Sequence, residues 1–149
     1  TDYKGKKCLG FHIFQIGEEY YFRAEKYRQS NQMSQAQTYY MKALEVWMNN
    51  IEKIEDSHHR CLAYYFSGTS YRCMGQCQEA IESYQKVLEG WPNYEKAWFA
   101  QYQIAISCEK LYQQGIISIS EVKNAYQILA DQYPNSSVTK IAIRKLSQL

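Results

Sequence analysis

The residues whose types and spacing could support metal chemistry are two histidines and three cysteines, His58, His59, Cys61, Cys73 and Cys77. Zinc needs about four nitrogen or sulfur ligands in a tetrahedral array. The last two cysteines flank a predicted turn, whereas the histidines begin the helix that leads to it. At about 1.5 Å per residue the two groups lie on the order of 20 Å apart, so one site cannot use both. We therefore predict structural or incidental roles for these residues, and no metal or other cofactor.

Other catalytic groupings are equally weak. The chain has no nucleophile motif and no glycine-rich phosphate loop. The carboxylates of Glu18 and Glu19, and those of Glu52 and Glu55, are typical of solvated helix faces. The chain is therefore predicted not to be an enzyme, and a metal-dependent enzyme is the most distant alternative.

The elements that would position any site emerge when the chain is compared with itself. In two segments an aromatic residue precedes an alanine by 16 residues, and a tyrosine follows that alanine by four: Tyr20, Ala36 and Tyr40, then Tyr64, Ala80 and Tyr84. Aromatic and small residues at helical spacings share one helix face. Each segment is therefore predicted to form two antiparallel helices.

Glycine, alanine and proline mark where these helices meet and end. Gly68 and Ala80 occupy points where two helix backbones must approach closely. Gly75 matches a C-terminal cap of the first helix. Pro92 and Pro134 follow second helices, which proline stops from continuing. Because a short hairpin cannot bury its own apolar face, neighbouring hairpins must stack to make a core.

This pattern resembles the tetratricopeptide repeat, which recurs over about 34 residues. The segment 61–94 matches the family at Tyr64, Gly68, Tyr71, Ala80, Tyr84 and Pro92. The segment 17–50 lacks the proline but keeps Tyr20, Ala24, Tyr27, Ala36, Tyr40 and Ala43. A third segment, 95 to about 135, is the most divergent, because Tyr102 stands at the small position and Ala105 at the tyrosine position.

The resemblance implies an all-α fold, a right-handed α-α superhelix of about three helical hairpins with a C-terminal capping helix. We predict a flexible leader over residues 1–10 and one domain over residues 11–149. The capping helix spans residues 136–149, with Ser136 or Ser137 as N-cap. Its inward residues are predicted to be Ile141, Leu146 and Leu149, and its outward residues Lys140, Arg144 and Lys145.

Two stretches exceed the length of the repeat. Residues 49–56 are predicted as a helix that runs two turns too long. Residues 113–120 could lengthen a helix or form a projecting loop. The isoleucines of this second stretch would suit a contact surface, but added core beneath a long hairpin is the preferred interpretation.

The resemblance also implies a binding surface, because the first helices of such hairpins line a concave groove. The groove positions are aromatic in all three repeats, at Tyr21, Tyr65 and Phe99, and Arg28, Arg72 and Gln103 complete the predicted set. Tyrosine and arginine are common in binding hot spots, so these residues would grip an extended or helical peptide. The alternative is that the rings pack against neighbouring helices.

The C-terminal stretch is similar to repeats of bacterial cell-envelope proteins. The strings from Ala125 to Ser136 and from Ile141 to Leu146 resemble the endings of the periplasmic coordinator of the Tol–Pal system and of lipoproteins that assist outer-membrane β-barrel assembly. Periplasm or cell envelope is therefore one predicted compartment. The five cysteines form an odd set without close pairs, as in a reducing setting, so the cytoplasm is the other.

Composition limits the partners. A formal charge of +2, spread among acidic residues, does not favour nucleic acid. No apolar run reaches the roughly 18 residues that a membrane span needs. The chain begins at Thr1 rather than methionine, so it is expected to be a fragment or a processed product. The leading prediction is an adaptor that binds a protein or peptide, and the alternative is a self-assembly module of a larger protein.

Overall fold

The computed structural model describes residues 3–149, and its regular elements are all helical. They are α1 (Tyr3–Gln29), α2 (Met33–Asn50), α3 (Ser57–Cys73), α4 (Cys77–Gly90), α5 (Ala97–Gln113), α6 (Ile119–Gln132) and α7 (Thr139–Gln148), with a 3₁₀ turn at Ile51–Lys53. The chain divides after Gln76 into a first unit with α1–α3 and a second unit, Cys77–Leu149, with α4–α7. The predicted all-α class is confirmed.

Three helices, α1, α3 and α5, end in the same way. The second residue after each helix has a positive φ: 58° at Asn31, 77° at Gly75 and 74° at Gly115. In each case its amide donates to the carbonyl three residues earlier, and the next amide donates to the carbonyl five residues before it. This is the Schellman arrangement, which favours glycine or asparagine because other side chains are strained at positive φ. The cap predicted at Gly75 is confirmed.

The helices that follow these turns bury the same kind of face. In α2, α4 and α6, three residues at spacings of four and three are at most 1% exposed: Ala36, Tyr40 and Ala43; Ala80, Tyr84 and Val87; Val122, Tyr126 and Leu129. Residues at these spacings lie above one another on a helix. The repeated tyrosine at the centre of the motif is therefore a core residue in all three helices.

The first unit is assembled around Trp47, which is fully buried. Its indole Nε1 donates to the carbonyl oxygen of Phe14 at 3.2 Å, so its one polar atom is satisfied. Gly17 faces this ring so closely that a Cβ atom at position 17 would lie 2.2 Å from Nε1. Helices α1 and α2 can therefore pack in this register only because position 17 has no side chain.

The N-terminal residues differ from the predicted flexible leader. Residues 3–10 belong to α1, while residues 1 and 2 of that leader lie outside the described part of the chain. Gly10 is buried, and a Cβ there would lie 2.4 Å from the carbonyl oxygen of Lys53. The segment after α2 thus packs against the start of α1 and gives this helix a partner that the sequence pattern did not indicate.

The stretch 49–56 also differs from the predicted long helix. Helix α2 ends at Asn50, and the 3₁₀ turn that follows brings Ile54 to zero exposure. The Arg60 Nε donates to the carbonyl oxygen of Ile54 at 2.9 Å, and the Asp56 carboxylate accepts from the His59 amide at 2.9 Å as the N-cap of α3. Burying Ile54 and capping α3 are both incompatible with a continuous helix.

In the second unit the stretch 113–120 is mainly a loop. After Gly115, Ile116 is 57% exposed and Ile117 is partly buried. Ser118 and Glu121 form a capping box in which the Ser118 amide donates to the Glu121 carboxylate at 2.9 Å. The loop therefore ends in a strong start signal for α6.

The final helix is rotated relative to the prediction. Ala142 is fully buried, Ile141 is 40% exposed, and Leu149 is also exposed. Lys145, predicted to face outward, donates from Nζ to Glu109 Oε1 of α5 at 2.8 Å. The N-cap is Val138 rather than Ser136 or Ser137. The small side chain of Ala142 permits close packing on α6, and the carboxylate of Glu109 draws Lys145 to the same side.

The packing at Gly17 generates a test. Gly17→Ala should lower the free energy of unfolding of the first unit by about 1–3 kcal/mol, because the new methyl group overlaps the Trp47 ring. Gly90→Ala is the matched control, since a Cβ at that position meets no atom within 4 Å. Denaturant unfolding followed by circular dichroism measures both. Equal midpoints for Gly17→Ala and wild type would contradict the described packing.

Candidate interaction surfaces

Two of the three aromatic residues predicted for a groove lie inside the structure. Tyr21 and Tyr65 are each 7% exposed. The Tyr21 ring stacks on Phe66 with centroids 4.6 Å apart and also lies 6.2 Å from Trp47. Little of the surface of either tyrosine is therefore accessible.

Arg28 and Arg72, the predicted basic residues of the groove, lie near one carboxylate. Arg28 Nη2 is 2.7 Å from Glu25 Oε2, and Glu25 also accepts a hydrogen bond from the Tyr40 hydroxyl. Burial raises the pKa of Glu25, but the hydrogen bonds from Arg28 and Tyr40 and the charges of Arg28 and Arg72 outweigh it, so this pKa lies below its ordinary value. Glu25 is therefore held ionised near the turn that follows α1.

The second unit repeats this arrangement. The Tyr126 hydroxyl donates to Glu109 Oε2 at 3.0 Å, and Lys145 occupies the other carboxylate oxygen. Glu25 and Glu109 each precede the positive-φ residue of their turn by six positions. Burial and the neighbouring Glu109 raise the pKa of Tyr126, as burial and Glu25 raise that of Tyr40. Both tyrosines are neutral donors at any ordinary pH.

Phe99 and Gln103, the predicted residues of the third repeat, lie on α5. Phe99 is partly exposed, with its ring centroid 5.6 Å from that of Trp98. Gln103 is 5% exposed, and its Oε1 has no hydrogen-bond partner in the described chain. Helix α5 begins 40 residues after α3, not 34. Ala24 and Gly68, at the small position of the repeat, each precede the positive-φ residue of their turn by seven residues. In the third repeat the same distance from Gly115 leads to Cys108, six residues after Tyr102, the small position predicted from the sequence.

Two phenylalanines that sequence reasoning did not select lie on the surface between α1 and α3. Phe11 is 46% exposed with its ring centroid 5.6 Å from His59, and Phe22 is 49% exposed with its centroid 5.9 Å from Phe66. We call these four residues the α1–α3 face. Phe11 and Phe22 are 11 residues apart, about three helical turns, so the helical period could have placed them together.

Each phenylalanine of the α1–α3 face borders a hollow. The hollow at Phe11 has a volume of about 310 Å³ and is also lined by His12 and Asp56. The hollow at Phe22 has a volume of about 350 Å³ and is rimmed by charges of both signs, among them Glu19 and Lys26. An apolar centre with a polar rim is the usual anatomy of a protein interface.

A separate cleft of about 370 Å³ occurs in the second unit between α4, α5 and α6. Its floor comes from α5, and its walls come from α4, α6 and the loop residue Ile117. Phe99 and Gln103 do not line it. The walls come from α4 and α6, which are the second helices of their hairpins. The groove predicted from the sequence is lined by first helices, so this cleft is a different surface.

Two buried cysteines, Cys61 and Cys108, have raised pKa values. Burial raises the pKa of the Cys61 thiol to about 11, and burial followed by Glu121 and Cys77 does the same for Cys108. Both thiols are therefore neutral and poorly nucleophilic. In residues 3–149 no group of three or more His, Cys, Asp and Glu side chains is arranged to hold a metal ion. Within the same range no helix has the length and apolarity to span a membrane.

Comparison with known proteins supports the architecture. No protein-family model matches the chain, and no curated protein matches it. The structure is similar to the C-terminal TPR-containing domain of a protein described as an FK506-binding protein of Plasmodium falciparum, with a TM-score of 0.57 and 16% sequence identity. The match covers 93% of each chain. The predicted fold, an all-α arrangement of tetratricopeptide-type hairpins, is therefore confirmed.

The depressed pKa of Glu25 generates a pH prediction. A carboxylate whose folded pKa lies below its unfolded value stabilises the fold above the unfolded pKa, and loses this contribution as the pH falls through the folded pKa. Glu25→Gln should therefore lower the free energy of unfolding at pH 7 by roughly 1 kcal/mol, discounted for partial exposure. This deficit should shrink below about pH 4, as the wild-type carboxyl becomes protonated.

Denaturant titrations between pH 2.5 and pH 7 measure this dependence. Glu45→Gln is the control, because Glu45 is exposed on α2. A Glu25→Gln deficit of the same size at pH 3 and pH 7 would show that the charge of Glu25 does not stabilise the fold.

Proposed function

We propose that this chain is a protein-interaction module that binds a peptide or protein segment on the α1–α3 face. The observation that carries the proposal is the pair of half-exposed phenylalanines on α1, each beside an aromatic partner on α3. Grouped exposed apolar side chains are unfavourable in water and are typical of sites that another molecule covers.

The fold supports the same conclusion. Helical-repeat proteins use the successive first helices of their hairpins as extended binding surfaces. Helices α1 and α3 each precede a Schellman turn, so they occupy first-helix positions in the tetratricopeptide scheme. The similar Plasmodium domain is evidence of fold alone, and the binding role of the present chain is argued from its own exposed residues.

The six residues predicted from the sequence enter the proposal in different roles. Tyr21 and Tyr65 support the face from beneath, because they are nearly buried. Arg28 is 39% exposed and can contact a partner while it holds Glu25. Arg72 and Phe99 are proposed as further contacts in their own units. Gln103 is 5% exposed, so, like the two tyrosines, it is proposed as a support rather than a direct contact.

The partner is expected to present an aromatic or aliphatic anchor. Tightly packed aromatic contacts supply most of the energy in such interfaces, and rim charges supply orientation. The charges beside Phe22 have both signs, so neither a strongly acidic nor a strongly basic partner is favoured. A non-enzymatic adaptor is the function that fits this chemistry. The proposal that the chain belongs among bacterial cell-envelope proteins rests only on the resemblance of residues 125–136 and 141–146.

Photocrosslinking tests the α1–α3 face directly. With p-benzoylphenylalanine in place of Phe11 or of Phe22, both positions should crosslink to the same species from extracts of the source cells. The control position is Met41, which is 62% exposed on α2. The crosslink from position 11 should fall at least about fivefold when Phe22→Ala is added, because an aromatic hot-spot contact is lost.

Two outcomes would reject this assignment. One is capture of the same species from position 41, and the other is a crosslink from position 11 that survives Phe22→Ala unchanged. Circular dichroism of Phe22→Ala establishes that the fold is retained, as expected for a half-exposed side chain.

Self-association is a second candidate function, and a different surface favours it. Leu9 and Ile16 are 53% and 46% exposed and lie seven residues apart on α1, at the spacing of a helix-pairing seam. Neither residues 49–56 nor residues 113–120 form a long helix that could supply this contact.

Light scattering after size exclusion tests self-association. If the candidate is right, wild type should be dimeric at about 100 µM, and Ile16→Glu should be monomeric because two carboxylates would be buried at the seam. A monomeric wild type at this concentration would exclude it.

A further inference from the structure

The cleft of the second unit has a buried apolar floor. Ile104, Cys108 and Leu111 of α5 are 5%, 8% and 6% exposed and follow one another at spacings of four and three. Gln101 borders them, and its Nε2 donates to the carbonyl oxygen of Ala125 at 2.9 Å, which ties α5 to α6. The floor is therefore apolar, and its one polar side chain already has a partner.

The rim of the cleft is polar and acidic. Helix α4 contributes Glu82 and Gln85, and α6 contributes Glu121 and Asn124; all four are exposed. The described residues that line the cleft include no lysine, arginine or histidine. A bound molecule would therefore meet the carboxylates of Glu82 and Glu121 at the mouth and aliphatic carbon beneath them. The second carboxylate also accepts the capping hydrogen bond from the Ser118 amide.

The two walls match each other in helical geometry. The residues of α4 that line the cleft begin at Gln78 and recur at the third, fourth and seventh following positions, and those of α6 begin at Glu121 and recur likewise. Such spacing marks one continuous stripe on each helix. A stripe of eight residues is roughly 10 Å long, about the length of two helical turns of a partner.

We infer that this cleft binds a peptide segment that places an aliphatic side chain on the α5 floor and a lysine or arginine beside Glu82 and Glu121. The volume of about 370 Å³ is that of a small ligand pocket and holds two or three side chains. Charge complementarity selects a cationic segment, and the floor requires an adjacent apolar one. The site is independent of the α1–α3 face and belongs to the other unit.

Three capped dipeptides test both requirements: N-acetyl-leucyl-arginine amide, N-acetyl-leucyl-glutamate amide and N-acetyl-glycyl-arginine amide. Methyl resonances of Ile104, Ile117 and Ile128, all in the lining, report binding by NMR titration. The leucyl-arginine compound should bind at least about threefold more tightly than either of the others, as a partly exposed ion pair and one buried side chain permit.

Variants of α4 separate charge from fold. Glu82→Gln should weaken the leucyl-arginine compound about threefold and strengthen the leucyl-glutamate compound, because it removes an attraction in the first case and a repulsion in the second. Gln85→Glu should strengthen the leucyl-arginine compound. Glu89→Gln is the matched control, because Glu89 is exposed on the same helix outside the cleft. Glu121 is left intact because it caps α6.

The outcomes that overturn the inference are equal binding of the three compounds, shifts that map outside the cleft, absence of any shift, or binding indifferent to Glu82→Gln and Gln85→Glu. None of these outcomes bears on photocrosslinking from the α1–α3 face. A failure of either proposal is therefore distinguishable from a failure of the other.

Discussion

A tyrosine buried in a helix seam must place its hydroxyl against an acceptor, and this requirement governs how α1 meets α2 and how α5 meets α6. Tyr40 and Tyr126 are at most 1% exposed, and each donates to a glutamate of the preceding helix. A buried donor without a partner costs about 1–3 kcal/mol, so a shift of either helix by one residue is strongly disfavoured. The hydroxyl thus sets the register of each helix pair.

The acceptors impose a second requirement, because a half-buried carboxylate needs a positive neighbour. Glu25 obtains it from Arg28 on its own helix, whereas Glu109 obtains it from Lys145 of the last helix. The observed rotation of α7 places Lys145 within reach of Glu109. Arg28 is likewise engaged with Glu25.

The repeated core was predictable because it depends on spacing alone. The tyrosine and small positions of α2 and α4, and the cap at Gly75, follow from helical periodicity and from the steric cost of positive φ. The register of α5 was not predictable in the same way. Its small position is occupied by Cys108, a residue that no repeat pattern would assign there. The sequence predicts the extra residues of the third repeat at 113–120, after α5, whereas most of them precede α5.

The candidate surfaces were harder to predict, because exposure depends on partners distant in sequence. Tyr21 and Phe22 are adjacent and equally aromatic, yet a rotation of about 100° per residue buries the first against Phe66 and leaves the second half exposed. Only knowledge of where α3 lies decides between them. The burial of Gly10 under the 51–53 turn is hidden for the same reason. The cleft of the second unit requires three helices to be placed before its acidic rim can be recognised.

The surroundings of Trp47 also give the first unit an optical signature. Trp47 is fully buried, with its indole hydrogen-bonded to a backbone carbonyl, and its emission should lie toward the blue. The two other tryptophans, Trp91 and Trp98, belong to the second unit and are partly exposed, so they should emit at longer wavelength. The intrinsic fluorescence spectrum is therefore a sum of two components, one from each unit. A change on its blue side alone reports on the core of α1 and α2, without any label attached to the protein.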